Sequence, residues 1–494
     1  MCGIAGVFHG QAPQDVERML DKISHRGPDG QGVKSLPAGT LGHTRLAIID
    51  VEGGHQPMGF DNTWIVFNGE IYNYRELARE YLQDISLKTH SDTEVIVQLY
   101  RKFGPSAVSL LDGMFAFALI HGDELFMARD PLGIKPLYCG ARDGKFYFAS
   151  EIKALALVTD EVREFPAGHW YHSKTGWQAF YEVDPEIMEV DDEAQAIQAI
   201  RSALKDAVQK RLLADVPVGI SLSGGLDSSI VAMLANAGTD HLHSFAVGMD
   251  GSEDVSAARK MADVLGTRHH ERIYTEQEML DVLPKVIYHL ESFDPALVRS
   301  AIPNYFLAEM ASKYVKVILT GEGADEIYAG YDYLRSYDDS EMLQKEMVEI
   351  TSALHNTNLQ RADRIAMAFG LEARVPFLDA KSVALGLGLP SQWKTHREKP
   401  AKFLLRKSFG GDLPDEITNR PKQKFSKGAG SSDVIAEKVE QEINDQEFLS
   451  ERARLLYEWN FRLPNKEALY YYRILHESFQ DQWFFPTMGQ SRSL

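Results

Sequence analysis

The alternation of hydrophobic and polar positions differs between the two halves of this 494-residue chain. From residue 1 to about 185, short alternating or apolar runs are separated by glycine-rich turns, as is typical of antiparallel strands. The turns His121-Gly122-Asp123 and Arg142-Asp143-Gly144 join such runs directly and predict hairpins. Helical patterns lie among them, over residues 12–23, 74–82 and 92–103. The first half is therefore predicted to be an α+β domain, with helices packed outside antiparallel sheets.

The second half repeats a strand followed by a helix. The strand-like runs are VPVGISLS, LHSFAVGM, HHERIYT and VKVILT, and a helical stretch follows each of them. Such a series predicts an α/β fold with a doubly wound parallel sheet, and residues from about 340 onward are expected to be mostly helical. The acidic segment 183–195 is interpreted as a linker or as the approach to a helix over 195–212. We therefore predict one domain at 1–185 and a second at 186–494.

Composition narrows the class of protein. A hydrophobic fraction of 44% without any run near 20 apolar residues predicts no membrane span. The first residues lack a basic region before their apolar run, so no secretory signal is expected. Two cysteines are too few for a disulfide scaffold or a structural zinc site, which favours the reducing cytoplasm. A formal charge of −19 argues against a nucleic-acid or anionic-membrane partner, although a local basic pocket can still hold ATP.

The first candidate for chemistry is Cys2. Removal of the initiator methionine would make it the N-terminal residue, with an α-amino group of pKa near ~8 as base for its own thiol. Such a nucleophile needs no histidine.

Four further segments supply what amide hydrolysis through a thioester requires. Asn68 and Gly69 offer donors to an oxyanion, and Arg45 can pair with an amino-acid carboxylate. Glu70 and Asp92 can bind an ammonium group. The turn Arg26–Gly30 can close over the pocket. Each also has a simpler interpretation: Asn-Gly as a hairpin turn, Arg45 as a solvated strand residue, and residues 26–30 as a surface turn.

Taken together, these segments resemble the glutaminase domain of the N-terminal-nucleophile (class II) glutamine amidotransferases. The matching pieces cover nearly all of residues 1–155 in order: MCGIAGVF, HRGPDG, HTRLAIID, GGHQPM, FNGEIYN, SDTEV, GMFAFAL, RDPLGIKPLY and FASEIKAL. The resemblance implies an αββα layered fold, with Cys2 as nucleophile and with Asn68 and Gly69 as oxyanion hole. It assigns Arg45, Asn68, Gly69, Glu70 and Asp92 to glutamine binding. Cys139, in an apolar run, is expected to be a buried structural thiol.

The second candidate is the glycine-rich loop Ser223-Gly224-Gly225-Leu226-Asp227-Ser228-Ser229, between a predicted strand and a predicted helix. Its glycines let backbone N–H groups approach phosphate oxygens at a helix N-terminus. The chain has no Gly-x4-Gly-Lys-Ser/Thr sequence, so this is not a Walker-type loop. The loop resembles instead the pyrophosphate-binding PP-loop of enzymes that adenylate a substrate.

A second acidic motif, Thr320–Glu326, complements this loop. Asp227 and Asp325, from separate strand ends, can share Mg²⁺ that bridges a pyrophosphate. Asp325 can equally begin a helix, where acidic residues favour the dipole, and both interpretations can hold at once.

Over most of the chain the sequence resembles the glutamine-hydrolysing asparagine synthetases. The supporting pieces are PVGISLSGGLDSS, SFAVGM, LGTRHHE, TGEGADEIYAGY, RADRIAMAFGLEARVPFLD, AKFLLRKSF and KQKFSKG. The resemblance implies an ATP site at Leu222, Ser223–Ser229, Val247, Thr320 and Gly321, metal ligands Asp227 and Asp325, and chemistry at Glu322 and Lys402. It leaves Arg374 undecided between support of the fold and of the substrate pocket. Thr320 and Ala324 stand where serine is frequent in the family, and Ala329 where glycine is frequent.

The activity implied is synthesis of asparagine from glutamine, aspartate and Mg²⁺–ATP, with release of AMP and pyrophosphate, in a cytoplasmic enzyme expected by family analogy to form a homodimer. No organic prosthetic group is expected. Two alternatives remain: an amidotransferase of the same architecture acting on a peptide or polysaccharide carboxylate, and a non-catalytic nitrogen-status binding protein.

Overall fold

The computed structural model of the chain describes residues 2–184, 192–239, 241–395, 399–420, 432–479 and 485–489. Across these ranges, none of the helices combines the length and the apolar character needed to cross a membrane. The matching piece KQKFSKG lies outside the described residues.

The first half contains two antiparallel six-stranded sheets. One has the order β10-β8-β9-β1-β3-β2 and the other β12-β11-β7-β6-β5-β4. The strands are β1 Gly3–Phe8, β2 Gly30–Leu36, β3 Gly39–Arg45, β4 Met58–Phe60, β5 Thr63–Ile71, β6 Gly113–His121, β7 Glu124–Arg129, β8 Tyr138–Arg142, β9 Lys145–Ala149, β10 Arg163–Glu164, β11 His169–His172 and β12 Gly176–Ala179. Both predicted hairpin turns are confirmed, because they join β6 to β7 and β8 to β9.

Alternate side chains of these strands face opposite sides of each sheet, so the two sheets pack face to face with helices on their outer sides. In β1, Ile4 and Phe8 enter the core between the sheets, whereas Ala5 and Val7 belong to the core that contains helix α1, Pro13–Lys22. In β5, Val66 faces the other sheet, while Ile65 and Phe67 join the core of helix α3, Asp92–Phe103. The predicted αββα arrangement is confirmed. Helices α2 Tyr74–Tyr81 and α4 Ile152–Leu155 complete this half.

The second half is built on a five-stranded parallel sheet of order β15-β14-β13-β16-β17. Its strands are β13 Val218–Ser221, β14 His243–Gly248, β15 Arg268–Ile273, β16 Val317–Leu319 and β17 Glu372–Arg374. The doubly wound sheet is confirmed. The run EAR of β17 lies in the region expected to be mostly helical, so that expectation missed the fifth strand, which is too short to show a period.

Helices surround this sheet and make up most of the C-terminal part, as predicted. They are α5 Glu193–Arg211, α6 Leu226–Asn236, α7 Glu253–Leu265, α8 Glu276–Leu290, α9 Pro295–Ala311, α10 Ala324–Ile327, α11 Ser340–Ser352, α12 Asn358–Met367, α13 Ala380–Gly388, α14 Ser391–Lys394, α15 Phe403–Phe409, α16 Asp415–Thr418, α17 Ser432–Glu442, α18 Asp445–Trp459 and α19 Lys466–Phe479. Short 3₁₀ turns cover Ser24–Arg26, Gly104–Leu110, Asp332–Ser336, Ala353–Asn356, Pro376–Leu378 and Phe485–Thr487.

The hydrophobic core is continuous across the two halves. One cluster joins Val16 and Leu20 of α1 with residues of α8 and α9, and another joins Leu46 and Met114 with residues of α5 and β13. Ion pairs cross the same boundary, for example Lys316 Nζ to Asp29 Oδ2 at 2.7 Å. The two halves therefore pack against one another as parts of one folded unit.

Candidate active sites

Cys2 lies immediately before β1, at the centre of the first sheet, and is 8% exposed. Its backbone N–H donates to Asn68 Oδ1 at 3.0 Å, and its thiol donates to the carbonyl of Leu46 at 3.9 Å. Burial raises the pKa of the Cys2 thiol. A thiol in this position needs an adjacent base before it can act as a nucleophile.

Asn68 and Gly69 lie inside β5, where they pair with Ala116 and Phe115 of β6. The hairpin-turn interpretation of Asn-Gly is therefore wrong. Asn68 is fully buried, and its Nδ2 has no hydrogen-bond partner within the described part of the chain. A Cβ at Gly69 would come within 2.1 Å of the Met114 carbonyl, so only glycine fits there. The strand thus holds an unused buried donor beside Cys2.

Arg45 ends β3 and is only 6% exposed, which excludes the solvated-strand interpretation. Its guanidinium donates to the carbonyls of Asp50 and Val51 at 2.6 and 2.7 Å. These bonds use one hydrogen on each terminal nitrogen and fix the plane of the group. Hydrogens remain for a carboxylate ligand.

Asp92 begins α3 and accepts a hydrogen bond from Ile71 N at 3.0 Å. Burial raises its pKa to about 6. Ile71 follows Glu70, so both carboxylates lie at the same end of β5. Burial and the nearby Glu372 raise the pKa of Glu70 well above its usual range. The cluster of carboxylates is suited to a buried ammonium group, which would stabilise their charged forms.

The segment Arg26–Gly30 is exposed at Pro28 and Asp29 but begins in the core. Arg26 is fully buried, and its Nε donates to the carbonyl of Cys2 at 3.0 Å. Its Nη1 pairs with Glu151 at 2.7 Å and with Asp363 of α12 at 2.8 Å. The segment is therefore more than a surface turn, since its arginine fixes the backbone next to the thiol.

The second group of predicted residues follows β13 and β16, which are neighbours in the parallel sheet. β14 lies on the far side of β13, and β17 lies on the far side of β16. The strand order therefore reverses between β13 and β16. In open α/β sheets, ligands bind at such a switch point, beyond the carboxyl ends of the strands. The loop 222–225 and the motif 320–323 both lie at this edge.

The glycine-rich loop is held in shape by its own serines. Ser223 Oγ lies 3.1 Å from Ser228 Oγ, and Ser228 Oγ donates to Gly225 O at 3.2 Å. Gly224 has φ +65°, and a Cβ there would lie 2.4 Å from the Ala257 backbone. Helix α6 begins at Leu226, directly after the loop, so its first N–H groups face the same space.

The carboxylates of Asp227 and Asp325 both contact the ammonium group of Lys402. Lys402 Nζ lies 2.5 Å from Asp227 Oδ2 and 2.6 Å from Asp325 Oδ1. Gly330 makes room for this contact, because a Cβ there would lie 2.0 Å from Asp325 Oδ1 and 2.2 Å from Lys402 Cε. The structure thus brings together three residues that the sequence placed far apart.

The remaining predicted residues surround the same space. Leu222 and Val247 are buried at the ends of β13 and β14. Gly321 packs against Asp227, since a Cβ on it would lie 3.0 Å from Asp227 Cβ. The N–H of Thr320 donates to the carbonyl of Arg374 at 2.9 Å. Within the described ranges, no group of three or more His, Cys, Asp or Glu side chains is placed to hold a metal ion by itself. A divalent ion would therefore need ligand oxygens in addition to Asp227 and Asp325.

Sequence reasoning missed two groups at this second site. Arg361 of α12 is ion-paired with Glu322. Glu326 is buried, accepts hydrogen bonds from Tyr331 at 2.6 Å and Asn358 at 3.1 Å, and has a pKa raised by burial to about 7. Arg361 lies in RADRIAMAFGLEARVPFLD, one of the pieces that resemble the family, but nothing in the sequence indicates that it pairs with Glu322.

Helix α12 lies between the two sites. Its Asp363 pairs with Arg26, which bonds Cys2, and its Arg361 pairs with Glu322. Separately, a cleft of about 890 Å³ opens between residues 50–52, α2 and residues 87–91 of the first half, and Asp215 of the second half also lines it. None of the predicted site residues lines that cleft.

In comparisons with known proteins, two family models match different parts of the chain. A family model described as glutamine amidotransferase domain matches residues 1–177, and one described as asparagine synthase matches 199–347 and 336–483. The chain is 38% identical to a probable glutamine-hydrolysing asparagine synthetase of Schizosaccharomyces pombe, over 98% of this chain and 94% of the relative. It is 38% identical to glutamine-hydrolysing asparagine synthetase B of Escherichia coli, over 97% of this chain and 91% of the relative. A glutamine-hydrolysing asparagine synthetase of Sandersonia aurantiaca is 37% identical, over 98% and 97% of the two chains.

Proposed function

The chain belongs to the family of glutamine-hydrolysing asparagine synthetases, and we propose how its residues divide the reaction between the two sites. The enzyme hydrolyses glutamine and uses ATP to convert aspartate to asparagine. The observation that supports this division best is that the chain holds two separate clusters. In one, Cys2 lies beside the unused donor of Asn68; in the other, Asp227 and Asp325 both contact Lys402. We propose the boundary between the two domains at residues 185 and 186.

In the first half-reaction, Cys2 attacks the side-chain carbonyl of glutamine. After loss of the initiator methionine, its α-amino group takes the thiol proton and later passes a proton to the departing ammonia. Asn68 Nδ2 and the Gly69 N–H stabilise the oxyanion. The hydrogen bond from Cys2 N to Asn68 Oδ1 supports this role, because it turns the oxygen of the amide toward the base and leaves the nitrogen for substrate. Water then resolves the thioester to glutamate.

Recognition of glutamine rests on opposite charges at the two ends of its α-amino-acid group. We assign the carboxylate to Arg45, whose guanidinium is fixed by two carbonyls. We assign the ammonium to Glu70 and Asp92, which lie at the end of β5. This arrangement requires both carboxylates to be ionised when glutamine is bound.

In the second half, the ATP phosphates occupy the loop Ser223–Ser229 at the start of α6, and the nucleoside lies near Leu222, Val247, Thr320 and Gly321. Asp227 and Asp325 fit a divalent cation, since a single ammonium nitrogen already contacts both. Carboxylate oxygens are the ligands that Mg²⁺ prefers, and it usually binds one or two of them together with substrate phosphates. When bound there, Mg²⁺ would neutralise the charge of the pyrophosphate.

The protein groups at this site position and stabilise the reacting atoms. The β-carboxylate of aspartate attacks the α-phosphorus, and pyrophosphate leaves with the electron pair of the broken bond. Lys402 stabilises the charge that develops on the phosphate oxygens. Ammonia then attacks the activated carbonyl, Glu322 accepts its proton, and AMP leaves. Arg361 holds Glu322 in place through their ion pair.

Ammonia must travel from Cys2 to this second site. Because free ammonia is mostly protonated near neutral pH, we propose an internal passage that keeps it neutral. Dilution with added hydroxylamine tests this point: the passage predicts little trapping, and capture of most of the glutamine-derived nitrogen contradicts it. By analogy with the family, we also propose a homodimer in the cytoplasm.

Product analysis tests the overall assignment. The full chain is incubated with ATP, Mg²⁺ and glutamine, and with a panel of carboxylic acids that includes aspartate, peptide carboxylates and acidic sugars. Pyrophosphate release that depends strongly on aspartate, with formation of asparagine, supports the assignment. Absence of pyrophosphate release with aspartate, together with turnover of another acid, would show an amidotransferase for that acid. Absence of pyrophosphate release with every acid would indicate a binding protein.

A further inference from the structure

Arg374, which the sequence left undecided, reaches from the parallel sheet into the glutamine pocket. It ends β17 and is fully buried. Its Nη2 lies 3.5 Å from Glu70 Oε2, and its Nε donates to Glu372 Oε1 at 2.6 Å. One side chain of the second half is therefore the ion-pair partner of a carboxylate assigned to glutamine.

The backbone of the same residue belongs to the ATP site. The Arg374 carbonyl accepts the N–H of Thr320, the first residue of the motif that follows β16. Register pairs Arg374 with Leu319 across β16 and β17. A shift of the Thr320 loop therefore moves the backbone that carries the guanidinium.

Further bonds fix the guanidinium against the segment that leads into β13. Arg374 Nη1 donates to the carbonyls of Arg211 and Leu213 at 2.7 Å each. Two residues later, Asp215 N donates to the Ile48 carbonyl at 3.0 Å, and Asp215 Oδ2 accepts from Asp50 N at 2.8 Å. The Asp50 carbonyl is in turn an acceptor for Arg45. Both charged ends of the glutamine site are thus supported by the second half.

The electrostatics of Glu70 explain why a cation is needed there. Burial raises its pKa most, and Glu372 and Asp92 raise it further, whereas Arg374 lowers it. Arg374 also lowers the pKa of Glu372. Glu70 Oε2 is buried and has no hydrogen-bond donor among the residues that the structure describes. The oxygen beside Arg374 is therefore available to a ligand.

We propose that Arg374 is a positioning residue for glutamine: it holds the Glu70 carboxylate, from the second half, in the orientation that receives the ammonium group of the substrate. This inference rests on the proposed assignment of Glu70 to glutamine. It also makes the glutamine pocket dependent on the loop after β16, because one residue carries both contacts.

The test compares Arg374→Gln and Arg374→Lys in the full chain. The readouts are KM and kcat for glutamine hydrolysis between pH 5.5 and 8.5, and asparagine synthesis from added ammonia. Loss of the ion pair should raise the KM for glutamine at least about tenfold, with a smaller effect on kcat. The acid limb of kcat/KM should move to higher pH, and lysine should restore part of both effects. Synthesis from ammonia should fall much less than synthesis from glutamine.

Arg129→Gln is the matched control. Arg129 is equally buried in the first half and donates to the carbonyls of Lys135, Gly133 and Phe165, without any contact to Glu70 among the described interactions. It should lower stability without changing the KM for glutamine. If Arg374→Gln does not fold, Arg374→Lys decides alone, through the shift of its pH profile.

A further variant, Glu70→Gln, tests the assignment of Glu70 to glutamine binding separately from the role of Arg374. Glu70→Gln should raise the KM for glutamine by more than Arg374→Gln does. A raised KM in Glu70→Gln, with an unchanged KM in both Arg374 variants, overturns the role of Arg374 alone. An unchanged KM in Glu70→Gln overturns the assignment of Glu70 and the inference with it. Equal loss of both syntheses in Arg374→Gln with no shift in the pH profile would show a purely structural arginine.

Discussion

The two sites differ in how the fold holds their residues. Around Cys2, the side chains come from inside paired strands or from the start of a buried helix, and Glu70 is 5% exposed and Asp92 4%. At the second site, Asp227 and Glu322 follow the ends of parallel strands, and 17% and 25% of their side chains are exposed, whereas Lys402 precedes α15 and is buried. The first site is thus fixed by strand register and by burial, the second by loops at a sheet edge. Substitutions at the first should alter both folding and chemistry, and those at the second mainly chemistry.

The largest effect should come from Cys2→Ala, which should abolish the use of glutamine and leave the activity of the second site intact. Loss of the nucleophile should reduce asparagine synthesis from glutamine by at least about 10⁴-fold. Synthesis from added ammonia should stay close to that of the unchanged chain, because no proposed step of the second half-reaction uses the thiol. Steady-state assays with each nitrogen donor measure this. Equal loss of both activities would mean that Cys2 is structural.

Asp325→Asn should separate the sites in the opposite direction. Removal of one carboxylate from the proposed cation site should reduce aspartate-dependent pyrophosphate release by about 10²–10³-fold. Glutamine hydrolysis should continue at a similar rate. The exposed Asp281, which accepts from Gln277 on α8, gives a control in Asp281→Asn. If the control matched Asp325→Asn, the effect would be one of general charge.

Acid pH should distinguish the sites through Asp92. Its pKa of about 6 predicts that kcat/KM for glutamine hydrolysis falls as pH drops below about 6, because the protonated carboxyl no longer attracts the ammonium. An unfolded aspartate ionises near ~3.9, so the native state holds the extra proton between the two values. The free energy of unfolding should therefore fall as pH rises through that window.

Asp92→Asn checks both consequences. It should weaken glutamine binding and remove this part of the pH dependence of stability, measured by urea unfolding at several pH values. Asp123→Asn, in the exposed turn between β6 and β7, is the control. An unchanged pH profile in Asp92→Asn would contradict the assignment.

The smallest effect concerns Ala329, which stands where glycine is frequent in the family. It has φ +52°, in the left-handed region that costs a non-glycine residue roughly 1 kcal/mol or slightly more. Relief of this strain should offset the usual cost of glycine, so Ala329→Gly should change the free energy of unfolding by less than about 1 kcal/mol. Ala203→Gly inside α5 should lower it by about 1 kcal/mol. Equal losses in thermal unfolding would show that Ala329 is not strained.

The residues that could be predicted from the sequence are those whose local geometry is carried by a short motif. The loop Ser223–Ser229 combines glycines, serines and a helix start within seven positions, and the structure places it as expected. Asn68-Gly69 shows the limit of such reasoning. Its local preference for a turn was overridden by pairing with β6 along the whole of β5.

The partners of buried charges could not be predicted. Arg374 and Glu70 are far apart in the chain, and each sits in a run whose pattern indicates only burial or a strand. The same holds for Arg26 and Asp363, which meet only because the halves pack together. The strand β17 was missed for a related reason, since three residues form a strand there only through pairing with β16.

Glu291 has a consequence for synthesis of the chain on the ribosome. Its two carboxylate oxygens accept the N–H groups of Ile152 and Lys153 at 3.0 and 2.8 Å, and so cap helix α4 of the first half. This cap is translated 139 residues after Ile152. At roughly 5–20 residues per second, the first half must wait about 7–30 s for it. During that interval, the apolar face of the nascent domain that will later pack against α8 and α9 stays in contact with water.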